Sequence, residues 1–356
     1  MRRRYPRWAP SSCPYRGGVA VLLSTHARFV EHATGAGHPE RPARIEAVVA
    51  GAQAAGLGDD LVVVEPRPAT RQELERVHPK GFVDALERFC TDGGGRIDPD
   101  TAVSRGSWDA AVLAAGAGLD AVERLDAGEA DAAFCAVRPP GHHATPARAM
   151  GFCLLNNVAV TAATLAGRGE RVLIVDYDAH HGNGTQAAFW DDDRVAYVSL
   201  HQWPLYPGTG ALDDVGADAG RGWTCNVPLP AGSTGDCYLA AVDEVIGPLA
   251  DDFGPTWLLL SAGFDAHRAD PLTGLGLSAG DYGPLTAALA ALVPAGRRIA
   301  FLEGGYDLDA LASSTQACVG ALAGADLAPE PPTSGGPGRD VVAAARLVRS
   351  RLAEQG

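Results

Sequence analysis

No stretch of this 356-residue chain is long and apolar enough to cross a membrane, so a transmembrane helix is not expected. Basic residues are scarce. Lys and Arg number 29 against 43 Asp and Glu, a formal net charge of −14. Phosphate binding needs a basic face, so nucleic acid is not a direct partner. The same charge mildly favours a basic substrate by steering, such as a lysine-bearing tail or a polyamine. The seven cysteines, at 13, 90, 135, 153, 225, 237 and 318, are odd in number and form no CxxC pair. They read as reduced thiols of a cytoplasmic protein, not as a disulfide framework or a zinc knuckle. Internal repeats are absent. Met1-Arg2-Arg3-Arg4 has the charge of a signal-peptide head, but Pro6, Pro10 and Pro14 stand where the apolar core should follow. Residues 1–18 read as a disordered extension.

What the chain does have is apolar residues, 46% of the total, arranged in short runs. Strand-like runs occur at Val19–Leu23, Ala132–Val137, Val172–Val175, Ala196–Leu200, Trp257–Ser261 and Ile299–Leu302. Ala-rich segments of helical length separate them, at 107–124, 157–167, 236–251 and 279–294. This alternation predicts a parallel sheet with helices on both faces, over one catalytic domain at 19–326. The Pro/Gly-rich stretch 327–339 reads as a linker, and 340–356 as a closing segment with an amphipathic helix over 340–354.

In open parallel sheets, sites form beyond the carboxyl ends of the strands. Four such ends carry reactive residues here. Arg138-Pro139-Pro140-Gly141-His142-His143 follows the second run. Asp176, Asp178, His180 and Asn183 follow the third. Gly263-Phe264-Asp265 follows the fifth, and Glu303-Gly304-Gly305-Tyr306 the last. A strand-end Asp alone is more often a helix cap, and paired histidines can be a polar turn. Four reactive ends on one sheet edge are far harder to explain that way. Asp178 and His180, two apart on a strand end, point to one side. With Asp265 they supply three metal ligands and leave a position for water and substrate. His142 and His143 supply a base and an acid near neutral pH, and Tyr306 offers a hydroxyl to an oxyanion. The combination points to metal-assisted amide hydrolysis.

These motifs, with His38-Pro39-Glu40-Arg41-Pro42 and Gly151-Phe152-Cys153, resemble those of the zinc-dependent histone deacetylase family in its bacterial, class II-like branch, over about residues 19–320. The resemblance implies a single α/β domain on an eight-stranded, mostly parallel sheet with helices on both faces, related to arginase. It implies one zinc ion held by Asp178, His180 and Asp265. His143 would act as general base and then acid, backed by Asn183. His142, backed by Asp176, would be its electrostatic partner, and Tyr306 the oxyanion donor. It further implies a narrow tunnel for an acyl-lysine chain, with Phe152 and Tyr206 as walls, Leu272 at the rim, the Gly151 carbonyl accepting a substrate N–H, and Arg41 near the foot where acetate leaves. A structural potassium ion would involve Asp176 and Ser199.

Two rivals are weaker. An arginase-like site with two manganese ions needs more bridging carboxylates than Gly182, Asn183 and the Asp265 segment provide. A non-catalytic reader of acyl-lysine would have lost a histidine, Tyr306 or a ligand, and none is lost. The expected substrate is an acetylated lysine peptide or protein. A small acetylated amine such as an N-acetylated polyamine is the alternative. The short segment after Ser199-Leu200-His201 leans towards the peptide.

Overall fold

A computed structural model describes residues 19–353. The extension expected over 1–18 lies outside the described residues, as do 354–356. The strands are β1 (Val21–Ser24), β2 (Leu61–Val64), β3 (Gly94–Arg96), β4 (Ala102–Ser104), β5 (Ala132–Cys135), β6 (Val172–Asp176), β7 (Val195–Gln202), β8 (Thr224–Leu229), β9 (Trp257–Ala262) and β10 (Arg298–Leu302). Eight of them form one sheet in the order β2-β1-β5-β10-β9-β6-β7-β8, and every neighbouring pair is parallel. β3 and β4 form a separate antiparallel hairpin.

β5, β6 and β9 are buried at every position. That explains why they read as continuous apolar runs rather than alternating ones: a parallel sheet is covered on both faces. One group of helices contains Ala43–Ala54, Ala279–Ala290 and Leu308–Leu322, packed on one another. A Cβ at Gly51 would strike the backbone of Ala312, so this helix pair approaches closely only because position 51 is glycine. A second group, Ser107–Asp126 and Asn157–Ala166, packs against β5, β6, β9 and β10.

Two details depart from the expected elements. The helix read over 236–251 is interrupted: Gly235–Ala241 and Gly247–Phe253 flank one π turn, Val242–Ile246. Pro248 has no amide hydrogen to continue the i→i−4 ladder, and the wide turn absorbs the missing bond. Within the segment 327–339, residues 327–338 have no regular structure but are bonded along their length, and Arg339 opens the last helix. Glu330 accepts from Ala279 N at 2.8 Å, Thr333 N donates to Asp281 at 2.8 Å, and Gly336 N donates to Thr234 at 2.8 Å. The last helix, Arg339–Ala353, buries Val342 and Ala345 beside β8, and Arg349 donates to the Gly222 carbonyl at 2.7 Å.

Candidate active site

The four reactive strand ends belong to β5, β10, β9 and β6, which are consecutive in the sheet. Parallel strands finish on the same edge, so the segments after them gather at one place. Asp178, His180 and Asp265 bring their ligating atoms within 4.8 Å of one another. His180 Nδ1 lies 3.2 Å from Asp178 Oδ1 and 3.0 Å from Asp265 Oδ2. Both carboxylates are fully buried, and burial together with the charge of Asp178 pushes Asp265 above the usual carboxylate range. A divalent cation between them would relieve this repulsion. Two carboxylates and one imidazole with room for water are a suitable donor set. The space exists because of two glycines: a Cβ at Gly263 or Gly304 would run into the Asp178 and Asp265 side chains.

The two histidines stand beside this group, ring centroids 4.0 Å apart. His142 Nδ1 is 3.0 Å from Asp176 Oδ2, and His143 Nδ1 is 2.9 Å from Asn183 Oδ1. Their environments separate them. Burial disfavours charge on both, but Asp176 and Asp178 overcome it at His142 and raise it to about 10. At His143, burial and then the charge of its neighbour His142 push the ring well below its usual value. The two imidazoles are therefore pushed in opposite directions, His142 towards its cationic form and His143 towards its neutral form.

Tyr306 is buried, and its ring meets Phe152 at 5.8 Å and the Arg44 guanidinium at 4.9 Å. Phe152 takes a left-handed backbone (φ 67°) after Gly151 (φ 56°). A Cβ at Gly151 would press on the His143 ring, so this turn lies close over the histidine. Tyr206 stands 5.2 Å from His143, ring to ring. Tyr206 and Leu272 are among the exposed large apolar residues, at 38% and 37%. Asp176 and Ser199 are buried and directly opposite on β6 and β7, and Ser199 Oγ lies 2.9 Å from His201 Nδ1.

One expected residue is misplaced. Arg41 is exposed, and Arg44, one helical turn on, occupies the foot of the site. Arg44 points inward from the first turn of its helix, where Arg41 faces solvent. Its Nε donates to Gly305 O at 2.7 Å, its Nη2 bonds Glu303 O, and its Nη1 reaches Glu40 Oε1 at 3.2 Å. Glu40 is shared with Arg138, whose Nη2 donates to Oε2 at 2.7 Å. All three side chains are fully buried. Sequence reading gave no role to Glu40, Arg44, Asp270 or Glu303. Asp270 accepts from Tyr306 N at 2.7 Å and Leu272 N at 3.0 Å, tying the Asp265 loop to the tyrosine. Glu303 accepts from the amides of Gly141 and His142 at 2.7 and 3.1 Å. The one available signal was Glu40 standing four residues before Arg44 at a helix start.

A profile of the histone deacetylase domain matches residues 38–322. The chain belongs to the histone deacetylase family. It is 40% identical over 309 residues to a "Probable deacetylase" of Archaeoglobus fulgidus, covering 85% of this chain and 86% of the relative. It is 35% identical over 313 residues to a "Histone deacetylase-like amidohydrolase" of Pseudomonas aeruginosa, covering 86% and 82%. The crystal structure of the HDA15 HD domain superposes with a TM-score of 0.86 at 36% identity, covering 94% of this chain and 97% of that one. The arginase/deacetylase-like α/β fold expected from the sequence is therefore the fold of the molecule, and the family is one of hydrolases acting as deacetylases and amidohydrolases.

Proposed function

We propose that this histone deacetylase-family chain hydrolyses the amide of an acetylated, linear lysine-type amine, with an acetyl-lysine peptide or protein as substrate. One observation carries the reading: the Asp178–His180–Asp265 donor set, the His142–Asp176 and His143–Asn183 pairs and Tyr306 are held together by neighbouring strand ends. A divalent ion such as zinc, bound by Asp178, His180 and Asp265, would polarise the scissile carbonyl and acidify a water. His143, neutral because of burial and its charged neighbour, accepts that water's proton at Nε2 while Asn183 holds Nδ1. His142, kept cationic by Asp176, stabilises the negative charge that develops. Tyr306 donates its hydroxyl to the oxyanion. His143 then returns its proton to the departing amine.

Phe152 and Tyr206 act as the walls of the tunnel, where each buried methylene of a lysine stem contributes about 0.8 kcal/mol. Leu272 forms the rim, and the Gly151 carbonyl accepts a substrate N–H. Arg44, in place of Arg41, supplies positive charge where the carboxylate product leaves. Asp176 and Ser199 take part in holding a structural potassium ion. The six described cysteines, all free and buried, fit a cytoplasmic location.

The test compares acetate release from an acetyl-lysine peptide and an N-acetylated polyamine, using metal-loaded protein. Faster turnover of the peptide is expected. Acetate from the polyamine alone would refute the substrate assignment, and acetate from neither would refute the reaction.

A further inference from the structure

We propose that His142, Cys153 and Glu303 form a second cation site, which shares one of the paired histidines, for a thiophilic divalent ion such as zinc, and that its occupation switches the enzyme off. The second half of this statement rests on the catalytic reading above, while the site itself does not.

The three residues bring one ligating atom each within 4.8 Å of one another, and all are buried. A thiol, an imidazole and a carboxylate make a donor set suited to zinc, and to cobalt and cadmium as its stand-ins. Each donor has an atom to spare. Glu303 commits Oε2 to the amides of Gly141 and His142, whereas Oε1 is equally buried and has no partner. A buried carboxylate oxygen without a partner is costly, so the fold holds a ligand in readiness. His142 spends Nδ1 on Asp176, and its Nε2 lies 3.9 Å from Asp178 Oδ2, beyond hydrogen-bond distance, which leaves Nε2 to bind an ion. Cys153 sits at the turn that carries Gly151 and Phe152. Burial and the nearby Glu303 keep its thiol protonated, while the backbone amides of His143 and Ala144 favour the thiolate. An entering ion displaces the thiol proton to solvent, and the Nε2 proton when His142 is charged, so three protein ligands and one water complete a tetrahedral set.

The consequence for turnover is direct. A divalent ion held on His142 places its charge beside His143, whose ring centroid lies 4.0 Å from that of His142, and opposes the uptake of a proton there. The two sites also differ in kind. Asp178, His180 and Asp265 contain no sulfur, so of the two sites only the second can give a metal–thiolate signal.

The experiment uses the full chain loaded with one equivalent of zinc. Cobalt(II) is then added while thiolate-to-cobalt charge-transfer absorption and acetate release are followed together. The wild type should gain the absorption band as one further ion binds, with loss of turnover. Cys153→Ser should match the wild type when loaded with one zinc, which also shows that it folds. It should lack the band, and require at least about tenfold more cobalt or zinc for equal inhibition. Cys153→Ala should behave as Cys153→Ser. A wild type without the band, or a band of the same strength in Cys153→Ser, would overturn the site. Were no acetate released under any loading, the band would still decide the second site, and the failure would lie with the catalytic reading.

Discussion

Two halves of the candidate site are built on opposite electrostatic plans. At the candidate metal half, two fully buried carboxylates, Asp178 and Asp265, converge on one imidazole. At the foot, two fully buried guanidiniums, Arg44 and Arg138, share the one carboxylate of Glu40. The first arrangement is short of positive charge and suits a cation. The second has positive charge to spare and suits an anionic product. Between them stand Tyr306, in contact with Arg44, and the two histidines. A site that takes in a neutral amide and releases an amine and a carboxylate has a use for both.

The halves also differ in how their members are connected. The candidate metal ligands come from short segments after neighbouring strands and are held chiefly by backbone amides: His180 N to Asp178 Oδ1 at 2.8 Å, Ala179 N to Asp265 Oδ1 at 2.8 Å and Gly304 N to Asp178 Oδ2 at 2.7 Å. The foot is held by side chains that reach across the chain: Arg44 to the carbonyls of Glu303 and Gly305, and Arg138 to Glu40. Breaking the first should therefore abolish chemistry, and breaking the second should chiefly cost stability.

The largest effect is expected from Asp178→Asn. It should lose bound zinc and turnover together, as metal analysis and acetate release would show. Retained activity in a protein without metal would erase the distinction between the halves. Arg44→Ala should act chiefly on stability. It leaves the buried Glu40 short of a partner and two carbonyls without a donor, a loss of about 3–5 kcal/mol in stability. Zinc content should stay at the wild-type level while the thermal midpoint falls. Glu303→Gln tests a smaller and pH-dependent term. Burial raises the Glu303 carboxyl from 4.5 to about 7. The folded state thus binds this proton more tightly than the unfolded state. Its contribution is fully present below pH 4.5 and is lost as pH rises through about 7. Denaturant unfolding across that window should show wild-type stability declining with a slope that the glutamine variant lacks. The smallest effect belongs to Arg41→Ala. An exposed arginine outside the pocket should change stability by no more than about 0.5 kcal/mol and leave turnover unaltered.

The same contrast explains what the sequence made legible. The six apolar runs correspond to β1, β5, β6, β7, β9 and β10, because strands covered on both faces must be apolar throughout. β2 and β8 were missed. Both are edge strands. β2 is only half-buried along its length, and β8 carries Asn226 and Pro228 among its apolar residues. The metal-binding half was legible because its spacing, Asp178 to His180, lies within one strand end, and because its residue types have few other uses together. The foot was not. Locally, only the i,i+4 spacing of Glu40 and Arg44 marks Arg44 over Arg41. Only the packing of its helix beneath Glu303 and Gly305 makes one of them buried and leaves the other in water. Glu303 was in view as part of a strand-end motif, but its partners are amides of Gly141 and His142, on a different strand end.

The most direct measurement of the central claim is single-site: acetate release from an acetyl-lysine peptide by zinc-loaded wild type and Tyr306→Phe, with zinc counted in both. The account predicts one zinc per chain at the catalytic site in each protein, and turnover lower by roughly 10²–10³ in the variant, the scale of one lost oxyanion donor. Equal turnover in the two proteins would contradict it.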